Sequence, residues 1–362
     1  MILNSPPAQY TQYDKIIIGG GVFGLSYALA IIEHDLAQRV LIIESRTQYY
    51  HDRNWCFWFD EDVPDYVADL ITQTYQYSSF DDGNQQHTLT HFELPYCRLA
   101  SSKFYDYALT KIDHSDSVDL VLGWQADPDE FPLEKLLDAR GAWQQPDKTK
   151  NMIQAFVGLT VSVPEHVYPL NTATIMGDMR VVKDAKGEHF VFDYILPLNE
   201  TELLIEVTTF SANPPNVTTL KHWTLNRLKQ DFESFEIIAM EHAFLPMDTK
   251  VHDTSGKAGA HSGMMRPATG YAFVQIQRQV FSLLGLSPKS SDLGKVTHYM
   301  DGVFLRVIKE QPSLCPTIFM QMVSTMKPRD FIAFMNNRLS LELWWEVIRS
   351  VPKRPFIKNV LR

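Results

Sequence analysis

The stretch YDKIIIGGGVFGLSYALA, residues 13–30, decides the fold. Lys15 to Ile18 reads as a short apolar β-strand, followed by Gly19, Gly21 and Gly24 and then an apolar helical segment. At this spacing the first glycine permits a tight turn and the second lets the backbone approach a pyrophosphate. The third lets the helix pack close to the strand. The helix start then turns unpaired N–H groups toward the phosphates. Residues 40–43 read as a second strand. Glu44 at its end, 20 residues after Gly24, is placed to accept hydrogen bonds from a ribose. Glycines alone would suit any glycine-rich turn. The order strand, glycines, helix, strand, acid predicts a dinucleotide-binding unit.

The 362 residues allow two domains or one large α/β domain with an insertion. A formal charge of −10 argues against nucleic acid as a general partner. Cys56, Cys97 and Cys315 are scattered and odd in number, and no HExxH or CxxC motif occurs, so neither a disulfide framework nor a metal site is expected. Residues 1–13 read as loose and lack a basic-then-apolar leader, which predicts a cytoplasmic protein. Residues 16–32 are interrupted by four glycines and flanked by Asp14 and Glu33, which suits a βα turn better than a membrane span.

Farther along, RNWCFWFDED carries an aromatic run, Trp55 to Phe59, which fits a core strand or the wall of a pocket. Ser101 to Leu109 predicts a helix, and Leu136 to Gly141 a short buried strand and turn. The runs 174–182, 189–196 and 203–210 are separated by turn-forming KDAKGE and PLNETE, so they predict an antiparallel meander in a second sheet. Pro267, Thr269 and Gly270 precede an apolar helix whose N-terminus is a second candidate anion site. From Met300 the chain reads as helical. Residues 327–362 hold eight Lys and Arg against three acids, with Trp344 and Trp345 among them. That tail suits either an anionic membrane surface or a solvated helix face.

These segments together resemble the bacterial lycopene β-cyclase family of flavoproteins. The resemblance rests on the glycine-rich start, on Asn54-Trp55-Cys56-Phe57-Trp58, on Phe156-Val157-Gly158 and on FVFDYILPLNETELLIEVTTFS. It extends to Pro267-Ala268-Thr269-Gly270-Tyr271 and to Asp301-Gly302-Val303-Phe304-Leu305-Arg306. The chain departs from the family pattern at Arg53-Asn54, at Val207-Thr208 and at Met264-Met265-Arg266.

The resemblance implies an α/β fold of the glutathione-reductase type. It would comprise a Rossmann-like FAD-binding domain, an antiparallel β-sheet substrate region and a helical C-terminus. In this division 1–362 form one flavoprotein unit. Residues 14–160 mainly bind FAD, 161–250 form the substrate sheet, 251–299 return to the FAD as loop and helix, and 300–362 are the basic helical region. It further implies redox-neutral ring closure at the ends of a linear carotenoid, with reduced FAD and NAD(P)H as its reductant. Gly19, Gly21, Gly24, Glu44, Thr269 and Gly270 are then the expected cofactor contacts, and Glu206 the catalytic acid.

An alkene is a very weak base, so its proton donor must be a carboxyl kept neutral by burial. In a strand Leu204, Glu206 and Thr208 share one face. The residues alone leave Glu206 as either a buried acid or an exposed strand carboxylate. Trp55, Phe57 and Trp58 are candidates for an aromatic, cation-tolerant wall. A carotenoid substrate would bring the enzyme to a membrane surface without spanning it. The competing readings are an FAD-dependent monooxygenase or isoprenoid reductase of the same fold, and a nucleotide-binding protein without catalysis.

Overall fold

A computed structural model describes residues 1–3, 5–7, 9–141, 152–247, 256–287 and 294–360. The nucleotide unit forms as the glycine spacing predicts. Strand Lys15–Ile18 leads through the glycine turn into helix Val22–Glu33 and on to strand Val40–Glu44. These strands lie inside a five-stranded parallel sheet ordered Ile2–Leu3, Val118–Leu122, Val40–Glu44, Lys15–Ile18, Leu136–Asp138. Both central strands are almost wholly apolar because helices and loops cover both faces. The N-terminal segment is a correction to the expected loose start. Ile2–Leu3 pairs in this sheet, and Tyr13 is buried with its hydroxyl donating to Asp119 (2.7 Å). A two-residue strand has too few positions to show a periodicity.

The meander is present and larger than expected. Thr172–Asp184, Gly187–Pro197 and Glu202–Ser211 are antiparallel neighbours in a seven-stranded sheet. Met152–Ser162 and Glu236–Met247 extend it at one edge, and Tyr77–Asp81 and Gln86–Thr90 at the other. The strands at 77–90 and 152–162 therefore leave the stretch 14–160 and join this sheet, which is mixed rather than wholly antiparallel because Tyr77–Asp81 runs parallel to Thr172–Asp184. Alternation along these strands divides the sheet into two faces. Val157, Leu159, Leu203 and Ile205 pack under helix Val217–Asp231, where Thr224 donates to the Val157 carbonyl (2.8 Å). Phe156, Leu204, Glu206 and Thr208 point the other way, into a cavity.

A three-stranded sheet, Asn54–Trp58, Tyr96–Ala100 and Gln73–Tyr75, stands between the two larger ones in the chain's path. Helix Ser101–Asp113 extends the one predicted from Ser101. The C-terminal region is helical: Lys295–Glu310, Cys315–Thr325, Pro328–Met335, Leu341–Arg349 and Lys353–Val360. Prolines in the first turns of two of these helices help keep them short and separate. Their apolar faces share one core with Leu204, Phe190, Phe192 and Phe210 of the large sheet, so they roof its cavity face.

Candidate functional site

One cavity of about 850 Å³ runs from the glycine turn, past loop 268–272, to the Glu206 face of the large sheet and the helical roof. Gly19 turns the chain at φ 116°, where a β-carbon would sit 2.8 Å from the Ala139 carbonyl oxygen. A β-carbon at Gly24 would overlap the Gly19 carbonyl, whereas Gly21 has open space beside it. Gly19 and Gly21 line the cavity, while Gly24 lies behind them as the packing position. Helix Val22–Glu33 has no side-chain cap and no acid in its first turn, which leaves its N-terminal N–H groups available.

Glu44 also lines the cavity, but its oxygens are already engaged. They accept from Gly20 N (2.8 Å), Arg46 N (2.9 Å), the Arg46 guanidinium (3.0 Å) and Ser45 Oγ (3.2 Å). Burial alone would raise its pKa. The Arg46 and Gly20 bonds outweigh that and hold the carboxyl below its ordinary value. A ribose hydroxyl at this carboxylate would have to displace or share one of these donors.

Thr269 and Gly270 meet the same cavity from the other side. Their turn is closed by Gly270 N–H on the Arg266 carbonyl (2.8 Å), with Gly270 at φ 72°. Gln154 Oε1 lies against Gly270, buried and without a hydrogen-bond partner. Arg266 fixes the turn from behind. It is 1% exposed, donates to both oxygens of buried Asp301 (3.2 and 3.1 Å) and to the Phe334 carbonyl, and lies over the Phe334 ring (4.2 Å).

Strand register places Glu206 opposite Gly158, and Gly158 opposite Glu241. The central residue has no side chain. A β-carbon there would be 2.8 Å from Glu206 Cγ and 3.1 Å from Glu241 Cγ, so the two carboxyl groups share the space above Gly158. Burial, then the Glu241 charge and its hydrogen bond, push the Glu206 pKa well above the glutamate range. Glu241 is raised by burial too, but Asn54 opposes this, donating through its backbone N–H (2.9 Å) and its Nδ2 (2.7 Å). Arg98 Nε in turn donates to Asn54 Oδ1 (2.7 Å), and the positive charges of Arg98 and Arg53 act on Glu241 in the same direction. The exposed-carboxylate reading of Glu206 is thus excluded.

Across the next strand Tyr194 pairs with Glu206, and its hydroxyl begins a chain to Tyr96 (3.0 Å) and Tyr271 (2.9 Å). The aromatic wall differs from the expected one. Trp55 lines the cavity, but Phe57 stacks on Phe273 (4.7 Å) and Trp58 is fully buried against Tyr96 and His91. Each shares a strand face with a cavity residue, Phe57 with Trp55 and Trp58 with Cys56, but both lie farther along the strand, where these aromatic neighbours enclose them. The apolar end is instead walled by Phe192, Phe210, Phe304, Phe319 and Phe331. Glu241, Asn54 and Gln154 were not singled out from the sequence. The signal available for Glu241 was a Glu-His pair set between the apolar runs 237–240 and 243–247.

The lycopene cyclase protein family matches residues 14–286. The chain belongs to that family. No curated protein matches this lycopene cyclase family member. Among solved structures it resembles a geranylgeranyl bacteriochlorophyll reductase-like protein from Thermoplasma acidophilum at 11% identity and TM-score 0.56, covering 96% of this chain and 98% of that one. It also resembles the p-nitrophenol 4-monooxygenase PnpA of Pseudomonas putida DLL-E4 at 12% identity and TM-score 0.54, covering 97% and 99%. The flavin-dependent brominase Bmp2 aligns at 13% identity and TM-score 0.55, covering 94% and 97%. At these identities the likeness establishes a shared fold.

Proposed function

We propose that the protein closes the linear ends of a carotenoid such as lycopene into β-rings, without net oxidation or reduction. The observation that carries this reading is a buried carboxyl, Glu206, in a cavity whose far end is walled by phenylalanines and which is continuous with a nucleotide-binding glycine turn. FAD fits the residues present. The glycine turn and open helix N-terminus suit its pyrophosphate, and the unpartnered Gln154 oxygen beside Gly270 offers an acceptor farther in. Gly19, Gly21, Glu44, Thr269 and Gly270 would hold it, with Gly24 supporting the turn and NAD(P)H as its reductant. When bound and reduced, FAD supplies negative charge near a developing cation.

The chain's own residues supply the rest. Glu206 gives its proton to the terminal double bond, and the neighbouring double bond closes the six-membered ring. Loss of a proton from a ring carbon balances the reaction, so product and substrate are isomers. Phe192, Phe210 and Phe304 line the apolar end, where aromatic rings would tolerate the cation and exclude water. Because the substrate is a bilayer hydrocarbon, the C-terminal helices would meet a membrane surface peripherally. Among the described residues no helix is long and apolar enough to cross one.

The test is product chromatography in lycopene-accumulating cells, followed by an anaerobic assay with reduced FAD. Ring formation without net flavin oxidation is expected. Glu206→Gln should keep flavin absorbance and lose roughly 100-fold or more of the cyclisation rate. A hydrogenated or oxygen-dependent product would assign the protein instead to the redox chemistry of a reductase or monooxygenase.

A further inference from the structure

Glu241 has no role in the reading above, yet its surroundings are built around it. It sits across Gly158 from Glu206, on a different strand, and lines the same cavity. Any side chain at Gly158 would separate the two acids. Two donors of Asn54 converge on the Glu241 oxygens, and Arg98 orients the Asn54 amide. Among the described residues no comparable set of donors reaches Glu206, whose neighbours there are Tyr194 from the adjoining strand, Cys56 from the aromatic strand and Tyr271 from the cavity loop. Burial keeps all three of those groups neutral, with the Cys56 thiol pushed up to about 12. His242 follows Glu241 and also borders the cavity.

We propose that Glu206 and Glu241 form a one-proton carboxyl pair, with Glu241 as its ionised, positioning member and Glu206 as the member that carries the proton. Two adjacent carboxylates in a water-poor site cannot both ionise cheaply, so one proton stays with the pair. The asymmetry of donors decides where it rests. After Glu206 has protonated an alkene, the pair carries two negative charges beside the carbocation. That favours the return of a proton from the ring carbon to the pair, which resets the site without an external acid or base. The inference rests on the proposed role of Glu206, but it is tested on the proton itself.

Infrared difference spectroscopy of the full-length purified protein, titrated with pH and compared in heavy water, reads that proton. Wild type should show a protonated-carboxyl stretch at neutral pH that is missing from Glu206→Gln. In Glu241→Gln the same band should titrate at a pH lower by on the order of one unit or more, because the neighbouring anion is gone. In Asn54→Ala, which keeps both acids and removes one donor to Glu241, the pair should titrate at higher pH. These opposite shifts separate a positioning role from simple damage, and the high-pH limb of the cyclisation profile should follow them. A Glu206 band absent from wild type at neutral pH would overturn the pair. So would a titration left unmoved in both variants, since burial alone would then hold the proton. If Glu241→Gln does not fold, the direction of the shift in Asn54→Ala decides. A wild type with the band but no cyclisation would overturn the functional reading while leaving the pair in place.

Discussion

The position of one proton would govern both the chemistry proposed for this site and its stability. The folded state keeps the Glu206 carboxyl protonated at pH values where the unfolded chain has released that proton. Stability is therefore unpenalised below the ordinary glutamate range and falls as pH rises through the folded value, levelling off above it. Each tenfold difference in proton affinity is worth about 1.4 kcal/mol. Glu206→Gln should thus match wild type in acid and become the more stable protein toward alkaline pH, as read by denaturant midpoints across a pH series. A constant difference across that series would count against a buried, protonated Glu206. Gly158→Ala tests the same geometry sterically. Its β-carbon meets Glu206 at 2.8 Å, so a loss of about 1–3 kcal/mol and of cyclisation is expected. The alternation along its strand gave the face of Glu206 but not its burial, and only the family resemblance singled it out as an acid. Glu241 was not singled out, because its relation to Glu206 exists only through the register of three strands. Asn54 and Arg266 hold Glu241 and the cavity loop respectively, each through contacts with residues far along the chain.

Among the elements, the glycine turn was the most legible, whereas loop 266–271 was legible as a loop but not in what holds its shape. Each glycine of the turn answers a local backbone demand that spacing alone expresses. Gly24→Ala, overlapping the Gly19 carbonyl, should abolish flavin retention on purification while leaving the seven-stranded sheet folded, as checked by flavin absorbance and circular dichroism. The loop instead owes its shape to a distant helix, Lys295–Glu310, through the buried Arg266–Asp301 pair. Removing one partner of such a pair leaves an uncompensated buried charge. Asp301→Asn should therefore cost about 3–5 kcal/mol in chemical denaturation. A loss near zero would mean that the Phe334 carbonyl and ring suffice to hold Arg266. The short strands Tyr77–Asp81 and Gln86–Thr90 escaped sequence reading for a related reason. Their partly polar alternation is too brief to stand out, and their place is set by pairing with Thr172–Asp184.

Across the whole molecule, the C-terminal helices join the cavity to the outer surface, and here the structure changes how the tail is read. Trp344 is buried against Phe334, Arg338 is paired with Asp60, Glu61 and Asp62, and Arg362 lies outside the described residues. Phe356 stacks on Phe304, itself a cavity residue, so deleting the last helix would disturb the roof as well as the surface. What helix Leu341–Arg349 offers outward is an apolar stripe, Leu341, Trp345 and Ile348, at i, i+4 and i+7, opposite buried Leu343, Trp344 and Val347. Exposed Arg349, Lys353 and Arg354 follow it in the chain. A helix apolar on two faces, one in the core and one in water, suits the interface of a bilayer, the phase in which a carotenoid dissolves. Point substitutions test this without opening the roof. Trp345→Ser should weaken partitioning onto anionic vesicles at any ionic strength, because the lost contribution is apolar burial. Arg354→Gln should weaken it by about fivefold at low salt, corresponding to about 1 kcal/mol, and by less as salt screens the surface. If sedimentation with vesicles is the same for wild type and both variants, the stripe is not the membrane contact, and the substrate must reach the Glu206 cavity by another route.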